Sequence, residues 1–328
     1  MALNIKNLFK KYGDNWIIRN VSLEVSRGEV LGIYGAVGVG KSTLIRAIAG
    51  EVQHDGGAVF FDADDVKGLN CEERRFHFPT VTNDALRNAA SQTAPVATAP
   101  TELSEGIGQV VALENALQIA DNVLLLDNQF CFMDRETRDE NCRKLRRTVR
   151  EKNLAVVFAT NNYSEIFSIC DRVAVLHDGE IQQIGTPREV YENPKTAQVA
   201  RLTGRNNLIK AKCVKSENGD APAFETIVGE HRIYSDRRAI ENPHGHGENC
   251  TLAIRPEHIS ISFGASFPED NLLRARITDI SFRGATTVVE LDADNLILQA
   301  RVLRFVGLNV GEECMVGLPP DRILVLSD

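Results

Sequence analysis

Residues 35–43 combine glycines with a lysine and two hydroxyl side chains. Glycines at this spacing let backbone N–H groups turn inward around phosphate oxygens, and the segment matches the phosphate-loop pattern G-x-x-x-x-G-K-S/T. In that pattern Lys41 reaches the β- and γ-phosphates of a nucleoside triphosphate, and Ser42 ligates Mg²⁺. The segment therefore predicts a nucleoside triphosphate bound with magnesium. The residues that would hold it are Gly35, Gly38, Gly40, Lys41, Ser42 and Thr43.

The sequence on both sides of this loop predicts the elements that position it. Residues 29–34 are mostly apolar and predict a buried strand that ends at the loop. The stretch Lys41–Ala49 predicts a helix, whose N-terminus adds unpaired donors and a favourable dipole. Residues 121–127 predict another buried strand, which ends in the carboxylate of Asp127. Strands that alternate with helices in this way predict a parallel sheet with crossover helices.

Two local signals refine this α/β region. Residues 134–152 are charged and predict a helix with Asp134 as its N-cap. The dipeptide Asp178-Gly179 between two short apolar runs predicts a β-hairpin. By contrast, residues 89–101 are rich in alanine, threonine and proline, and predict a surface loop.

The last third of the chain has a different sequence pattern. From about residue 208, short β-prone runs are broken by glycine, proline and asparagine, which predicts a small all-β domain, most simply a barrel. The predicted strands are 252–255, 273–280, 286–291, 296–302 and 323–326. We therefore predict two domains, residues 1–207 and residues 208–328.

Bulk composition excludes several classes of protein. The 328 residues are 43% hydrophobic and 25% charged, and no apolar run reaches the roughly 18 residues of a membrane span. A formal charge of -8 and a pI near 5.5 argue against nucleic acid as a partner. The start of the chain has no apolar signal core, so we expect no secretion. The 7 cysteines are scattered without a C-x-x-C pair, which fits a reducing cytoplasm and argues against a zinc cage.

Four further segments resemble the motifs of ATP-binding-cassette (ABC) proteins. They are Tyr12-Gly13, residues 103–107 (Leu-Ser-Glu-Gly-Ile, similar to the signature LSGGQ), residues 124–127 (Leu-Leu-Leu-Asp, similar to the Walker B strand) and Met133-Asp134 of the D-loop. The resemblance implies that Tyr12 stacks on adenine, so that the nucleotide is ATP. It also implies that Asp127 holds the magnesium through water, beside Ser42.

Later segments resemble one subgroup of this family, the importer ATPases for sugars, polyamines, ferric iron and related solutes. Residues 171–176 and 185–191 are similar to that subgroup, and residues 254–258 resemble the R-P-E element of its C-terminal TOBE domain. The implied fold is an ABC-type α/β phosphate-loop NTPase followed by an all-β, OB-like TOBE domain. The implied partners are membrane permease subunits and a second ABC ATPase subunit. The implied location is cytoplasmic, peripheral at the inner face of the cell membrane.

The sequence departs from the family where hydrolysis takes place. Asn128 stands where the family has a carboxylate after the Walker B aspartate, and Asn161 stands where it has the switch histidine. The glutamine that links the magnesium site to the membrane partner has no counterpart near residues 74–82. Residues 83–102 replace a helical subdomain of about twice that length, so we predict a reduced subdomain. Losing a positioned general base costs about 10²–10⁴ in rate, so we predict a site that binds ATP with impaired hydrolysis.

The signature segment is closer to the family pattern. These ATPases act as head-to-tail dimers, and each ATP lies between the phosphate loop of one subunit and the signature of the other. The resemblance therefore implies that Ser104 and Gly106 contact the γ-phosphate held by the partner. Glu105 replaces a glycine and weakens that contact unless its carboxylate points away, and Ile107 replaces a glutamine. A weak site of its own beside a usable signature favours a heterodimer with a competent homologue.

Two functions from different classes stay open at this point. The first is a degenerate energising or regulating subunit of an importer, which residues 185–191 and the TOBE domain favour. The second is a non-hydrolysing ATP-sensing or scaffolding protein, which the reduced helical subdomain favours because that subdomain receives the permease. A phosphate-loop kinase is disfavoured because no arginine-bearing lid follows the loop.

Overall fold

The computed structural model describes residues 2–79, 105–215, 222–236, 247–264, 271–303 and 307–326. The chain forms two compact units, Met1–Glu192 and Asn193–Asp328. This division precedes residue 207 because the helix Ala197–Leu202 packs on the second unit, where Ala200 joins Ala253 and Leu326 in one apolar cluster. The division after residue 207 stays a prediction for the functional domains.

The first unit contains ten strands and six helices within the described residues. In chain order they are β1 (Leu3–Tyr12), β2 (Asn15–Val25), β3 (Val30–Tyr34), α1 (Lys41–Ala49), β4 (Gly56–Phe61), β5 (Asp64–Asp65), α2 (Cys71–Arg74), β6 (Phe76–His77), α3 (Glu105–Ile119), β7 (Val123–Asp127), α4 (Arg135–Lys152), β8 (Ala155–Thr160), α5 (Tyr163–Ile169), β9 (Arg172–His177), β10 (Glu180–Gly185) and α6 (Pro187–Glu192).

A six-stranded sheet in the order β10-β9-β3-β8-β7-β6 forms the centre of this unit. Its strands pair in parallel from β9 to β6, and β10 pairs antiparallel with β9. The predicted α/β architecture is therefore confirmed. The predicted hairpin and N-cap are also present: Asp178 and Gly179 have left-handed φ values of 48° and 77°, and Thr137 N donates to Asp134 Oδ1 at 3.0 Å.

A second, antiparallel sheet in the order β2-β1-β4-β5 completes the first unit. Apolar side chains of both sheets and of helix α1 form one buried core, which includes Ile5, Val21, Ile33, Ile45 and Val157. Because α1 is anchored in this core, the loop that precedes it has a fixed base.

The second unit contains one helix and ten strands within the described residues, with 3₁₀ turns at Pro256–His258 and Pro320–Arg322. In chain order they are α7 (Ala197–Leu202), β11 (Asn207–Val214), β12 (Ala223–Thr226), β13 (Arg232–Tyr234), β14 (Asn249–Ile254), β15 (Ser260–Ser262), β16 (Asn271–Phe282), β17 (Thr287–Ala293), β18 (Leu296–Val302), β19 (Glu313–Leu318) and β20 (Leu324–Leu326).

These strands form two antiparallel sheets, β13-β12-β11-β14-β20 and β15-β19-β16-β17-β18. Their inner side chains share one apolar core, and the alternation of buried and half-buried residues along β17 is that of a strand with one face inward. The predicted all-β character of this part is confirmed.

Two predictions from the sequence concern residues that the structure does not describe. The predicted reduced helical subdomain and the predicted surface loop 89–101 lie outside the described residues, since residues 80–104 are not described. Across the helices that the structure does describe, none has the length and apolar character of a membrane span.

Candidate nucleotide site

The phosphate loop connects the buried centre of the six-stranded sheet to helix α1. Strand β3 ends at Tyr34, and the helix begins at Lys41. Gly40 caps the helix with a φ of 104°, in the left-handed region, and no side chain caps this N-terminus. A Cβ at Gly40 would also lie 2.8 Å from Cγ2 of Ile17, so glycine is required there. The first N–H groups of α1 have no partner within the helix and are available to an anion bound in the loop.

Lys41 is the cation of this loop. Its side chain is buried, with 6% exposed, and its Nζ donates to the carbonyl oxygens of Gly35 at 2.8 Å and Ala36 at 2.7 Å. Burial lowers the pKa of Lys41, and the negative charge of Asp127 opposes that shift. The ammonium is thus desolvated and held mainly by neutral carbonyls, so a polyanion beside it would stabilise the charge.

The loop opens into a cavity of about 300 Å³. The residues that line it are Tyr12, Ile17, Val37, Gly38, Gly40, Lys41, Ser42, Thr43, Asn128 and Asn161. This described lining offers an ammonium, hydroxyls and amides, and it contains no carboxylate and no imidazole. Such a set of donors suits a phosphate chain.

Parallel pairing explains why distant parts of the sequence meet at this cavity. Strand β8 lies between β3 and β7, and all three run in the same direction. Their carboxyl ends therefore lie at one edge of the sheet, where the phosphate loop, Asn128 and Asn161 follow β3, β7 and β8 in turn. This edge is where open α/β sheets bind ligands.

Tyr12 lies at the end of β1 with 51% of its surface exposed. The Nζ atom of Lys10 lies 5.1 Å from the centroid of its ring. An accessible aromatic face beside a phosphate loop can stack on a planar base. The geometry therefore suits the predicted contact between Tyr12 and adenine.

Asp127 and Asn128 occupy the end of strand β7. Asn128 has a left-handed φ of 47°, and its backbone N–H donates to the carbonyl oxygen of Ala159 at 2.9 Å. Its side-chain Nδ2 donates to Oδ1 of Asp127 at 3.1 Å. A carboxamide has no group that accepts a proton near neutral pH. Asn128 is therefore held in place as a donor to Asp127.

Three described residues of the predicted site, Gly35, Gly106 and Asp127, are not part of the cavity lining. Gly35 lies at the base of the loop, where a Cβ would be 2.4 Å from the carbonyl oxygen of Leu176. Gly106 lies in the first turn of α3, where a Cβ would be 2.6 Å from the carbonyl oxygen of Phe132. Ser104 falls outside the described residues. Within one chain, Gly106 is thus a point of close backbone approach.

Sequence reasoning missed the role of Gln109, which ties helix α3 to the segment after Asn128. Its Nε2 donates to the carbonyl oxygen of Asn128 at 3.3 Å, and its Oε1 accepts from the N–H of Phe132 at 3.1 Å. The buried Gln129 donates from Nε2 to the Gln109 carbonyl oxygen at 2.7 Å. These bonds fix the backbone of residues 128–132, the segment that follows strand β7.

The residues present fit magnesium held together with a nucleotide. The hydroxyl of Ser42 and the carboxylate of Asp127 are the hard oxygen donors that Mg²⁺ prefers. Among the described residues there is no cluster of three or more His, Cys, Asp or Glu side chains that could hold a metal by itself. Mg²⁺ typically takes one or two protein ligands and completes its shell with phosphates and water, so this sparse set is suitable.

A larger cavity, of about 680 Å³, lies on the second unit. Its lining carries both signs of charge, and Arg276 there pairs with Glu313 at 3.1 Å. It has no glycine-rich helix N-terminus to receive phosphates. The smaller cavity at the phosphate loop is therefore the better candidate for a nucleotide site.

Comparisons with known proteins agree with this geometry. The sequence profile of the ABC transporter family matches residues 18–93, and that of the TOBE domain matches residues 252–326. The chain is 30% identical to the spermidine/putrescine import ATP-binding protein PotA of Thermotoga maritima, over 79% of this chain and 77% of that protein. It is 28% identical to the sulfate/thiosulfate import ATP-binding protein CysA of Bacillus cereus, over 99% of this chain and 98% of that protein.

Solved structures resemble the chain in fold. A nucleotide-free ATP-binding cassette from an ABC transporter matches with a TM-score of 0.53 and 18% identity, over 62% of this chain and 99% of that one. The ATP-binding subunit of an ABC transporter matches with a TM-score of 0.50 and 20% identity, over 62% of this chain and 95% of that one.

Proposed function

We infer the function from the family: this chain belongs to the ATP-binding subunits of ABC importers that carry a C-terminal TOBE domain. The ABC-type fold and the TOBE domain expected from the motifs are therefore correct. We propose that the chain binds ATP with Mg²⁺ and energises or regulates solute uptake. We further propose that its own hydrolytic site is impaired.

The donors of the cavity support ATP binding. Tyr12 would stack on the adenine, and Lys41 with the N-terminus of α1 would hold the phosphates. Gly38 has a left-handed φ of 81°, and no atom lies within 4 Å of the place that a Cβ would occupy there, so the approach is open. Ser42 and Asp127 would hold magnesium, whose charge, when bound, neutralises the phosphate oxygens.

One observation carries the proposal of impaired hydrolysis. The two lining residues that directly follow strands β7 and β8 are both amides, Asn128 and Asn161. An amide neither removes a proton from an attacking water nor carries positive charge towards a γ-phosphate. Asn128 is also held as a donor to Asp127, at 3.1 Å. The site thus keeps the groups that bind phosphate and lacks the groups that activate water.

A site that binds ATP without hydrolysing it can still serve in a dimer of two different ABC subunits. We propose that Ser104 and Gly106 complete the active site of a competent partner, while this chain holds its own ATP statically. The dimer would contact permease subunits and therefore lie at the inner face of the cell membrane. The named relatives import chemically opposite solutes, a polycation and an oxyanion, so membership of this family is compatible with either class of solute.

A second candidate function is an ATP-sensing or scaffolding protein that has left transport. The observation that favours it is the short segment 83–102, where the family has the subdomain that receives the permease. Such a protein would bind ATP through the same loop. It would not change the turnover of an ABC partner.

The test is ATP turnover of the complex reconstituted from this chain, a competent ABC subunit and the permeases. Ser104→Ala should lower turnover, because it removes a donor to the γ-phosphate at the working site. Asn128→Ala should leave turnover nearly unchanged, because no chemistry depends on that amide. Ser168→Ala, on the exposed side of α5, is the matched control for the serine change.

The outcomes separate the candidates. Large and equal losses from Ser104→Ala and Asn128→Ala would contradict the division of roles between the two sites. No loss from either change would favour the sensing or scaffolding function.

A further inference from the structure

A buried polar network lies directly behind Asn161. Glu165, in the first turn of α5, has only 4% of its surface exposed. Its Oε2 accepts from the hydroxyl of Thr160 at 2.6 Å, and its Oε1 accepts from Nδ2 of Asn162 at 3.2 Å. Arg138 on α4 lies 4.0 Å from the same Oε1. The two carboxylate oxygens of Glu165 thus hold the residues on either side of Asn161.

Further hydrogen bonds hold residues 160–162, the segment between β8 and α5. The backbone N–H of Asn162 donates to Oγ1 of Thr160 at 3.0 Å, and Oδ1 of Asn162 caps α5 by accepting from the N–H of Ser164 at 3.0 Å. On the other side, the ring of Tyr163 packs edge-to-face on Tyr34, with centroids 4.9 Å apart. Since Tyr34 directly precedes Gly35, the segment 160–162 is also held against the start of the phosphate loop.

Asn161 differs from its neighbours. Its side chain is exposed and lines the nucleotide cavity, and it makes no hydrogen bond to any other described residue. Because its backbone is held on both sides, Asn161 would order only its own side-chain torsions on binding a ligand, and no backbone. The network thus fixes where this donor lies relative to the cavity.

The carboxylate of Glu165 is retained against a desolvation cost. Burial raises the pKa of Glu165, while the hydroxyl of Thr160, the charge of Arg138 and the amide of Asn162 oppose the shift. An acidic residue is rarely buried unless its bonds serve the structure around it. Here the contacts of the carboxylate lead to the loop 160–162 and to helix α4.

The geometry points to Glu165 as a positioning residue that holds Asn161 against the γ-phosphate and so lets the site distinguish ATP from ADP. This role rests on the proposed binding of ATP in the cavity. It requires no hydrolysis. Loss of Glu165 would free residues 160–162, and the backbone of Asn161 would no longer be held beside the cavity.

The test compares the affinities of the full chain for ATP and ADP, each with magnesium, by calorimetry. Asn161→Ala and Glu165→Ala should each weaken ATP binding by about tenfold, the typical effect of losing one hydrogen bond to a charged group. ADP binding should stay within about twofold in both variants, since ADP has no γ-phosphate. The double variant should lose no more than Asn161→Ala alone, because Glu165 acts through Asn161.

Two further variants make the test specific. Thr160→Val removes the hydroxyl that donates to Glu165 with little change of shape, so it should lower the ATP preference as Glu165→Ala does, and it carries the test if Glu165→Ala does not fold. Ser168→Ala removes a hydroxyl whose one hydrogen bond within the described residues is to the carbonyl oxygen of Ser164, at 2.9 Å, in the same helix. This change should alter neither affinity.

Equal losses of ATP and ADP affinity, additive losses in the double variant, or an unchanged ATP preference in Glu165→Ala and Thr160→Val would each overturn the positioning role. If the unaltered chain bound neither nucleotide, the proposed function itself would fail, which is a separate result.

Discussion

The side-chain amide of Asn128 donates a hydrogen bond to the carboxylate of Asp127, at 3.1 Å. The two residues are consecutive, and the left-handed backbone of Asn128 together with its bond to Ala159 fixes their relation. A glutamate at position 128 would replace this donor with a second negative charge beside Asp127. The asparagine therefore suits a site in which Asp127 accepts a hydrogen bond and has no base next to it.

Restoring the missing groups should restore some hydrolysis. Asn128→Glu combined with Asn161→His supplies a carboxylate and an imidazole at the ends of β7 and β8. Because a positioned general base contributes about 10²–10⁴ in rate, phosphate release should rise clearly above background. Adding Lys41→Ala to the pair should abolish the gain. An unchanged rate in the double variant would mean that these two positions are not what limits hydrolysis.

Lys41 should carry most of the stabilisation that ATP confers. At a concentration of ATP·Mg about a hundred times its dissociation constant, binding should stabilise the native chain by about 2.7 kcal/mol. Lys41→Ala should remove most of this gain, measured as the shift in thermal midpoint, because the phosphates lose their buried cation. The exposed Lys67 supplies the control, and Lys67→Ala should keep the full shift. An equal shift in both variants would contradict the assignment of the loop.

Tyr12 should contribute through the base and not through the phosphates. Tyr12→Ala should weaken ATP and ADP binding by about 1–3 kcal/mol, the range for stacking of one base on an aromatic ring. Tyr12→Phe should retain most of the affinity. Inorganic triphosphate, which has no base, should bind the unaltered chain and Tyr12→Ala equally well in a calorimetric titration. Weaker triphosphate binding in Tyr12→Ala would place this ring elsewhere in the site.

Glu165 should make stability depend on pH. Burial raises the pKa of Glu165 in the folded chain above its usual value. Between about pH 4.3, the unfolded value, and the raised folded pKa, the native state binds more protons than the unfolded state, so stability falls as pH rises across that window. Arg138 on α4 lies 4.0 Å from this carboxylate. Cys142 on the same helix does not titrate in this window, because burial raises the pKa of its thiol to about 12.

Glu165→Gln removes this titration and isolates it. The stability of the unaltered chain relative to Glu165→Gln, taken from thermal midpoints, should therefore decline with rising pH through the window and level off above the folded pKa. A relative stability that stays flat or increases between pH 4 and pH 8 would contradict the burial of a titrating carboxyl group.

Short sequence patterns predict those parts of the fold that interactions between neighbouring residues determine. The apolar run before Gly35, the glycine loop and the helix Lys41–Ala49 were all predictable, because a buried central strand and a helix N-terminus leave short-range signals. The Asp178-Gly179 hairpin was predictable for the same reason. The antiparallel sheet around β1 was not, since register shifts between Ile5 and Leu8 break the alternation expected of a strand.

The supporting residues of the site required the tertiary structure. Gln109 reaches the backbone of Asn128 and Phe132, which are distant in sequence, and its residue type alone carries no signal. Glu165 has the sequence character of an ordinary exposed helix residue, because acidic side chains are seldom buried. Burial and the bonds to Thr160 and Asn162 become visible only when α5 packs behind β8. Motifs thus identified the groups that would touch ATP, and packing identified the groups that hold them.

The nucleotide site, as we propose it, binds ATP and does not turn it over. The most direct measurement determines both quantities on one preparation of the unaltered full chain, by calorimetric titration with ATP·Mg and by phosphate release at saturating ATP. We expect saturable binding with phosphate release no faster than that of Lys41→Ala. Release well above that background, abolished by Lys41→Ala, would contradict a site that only binds.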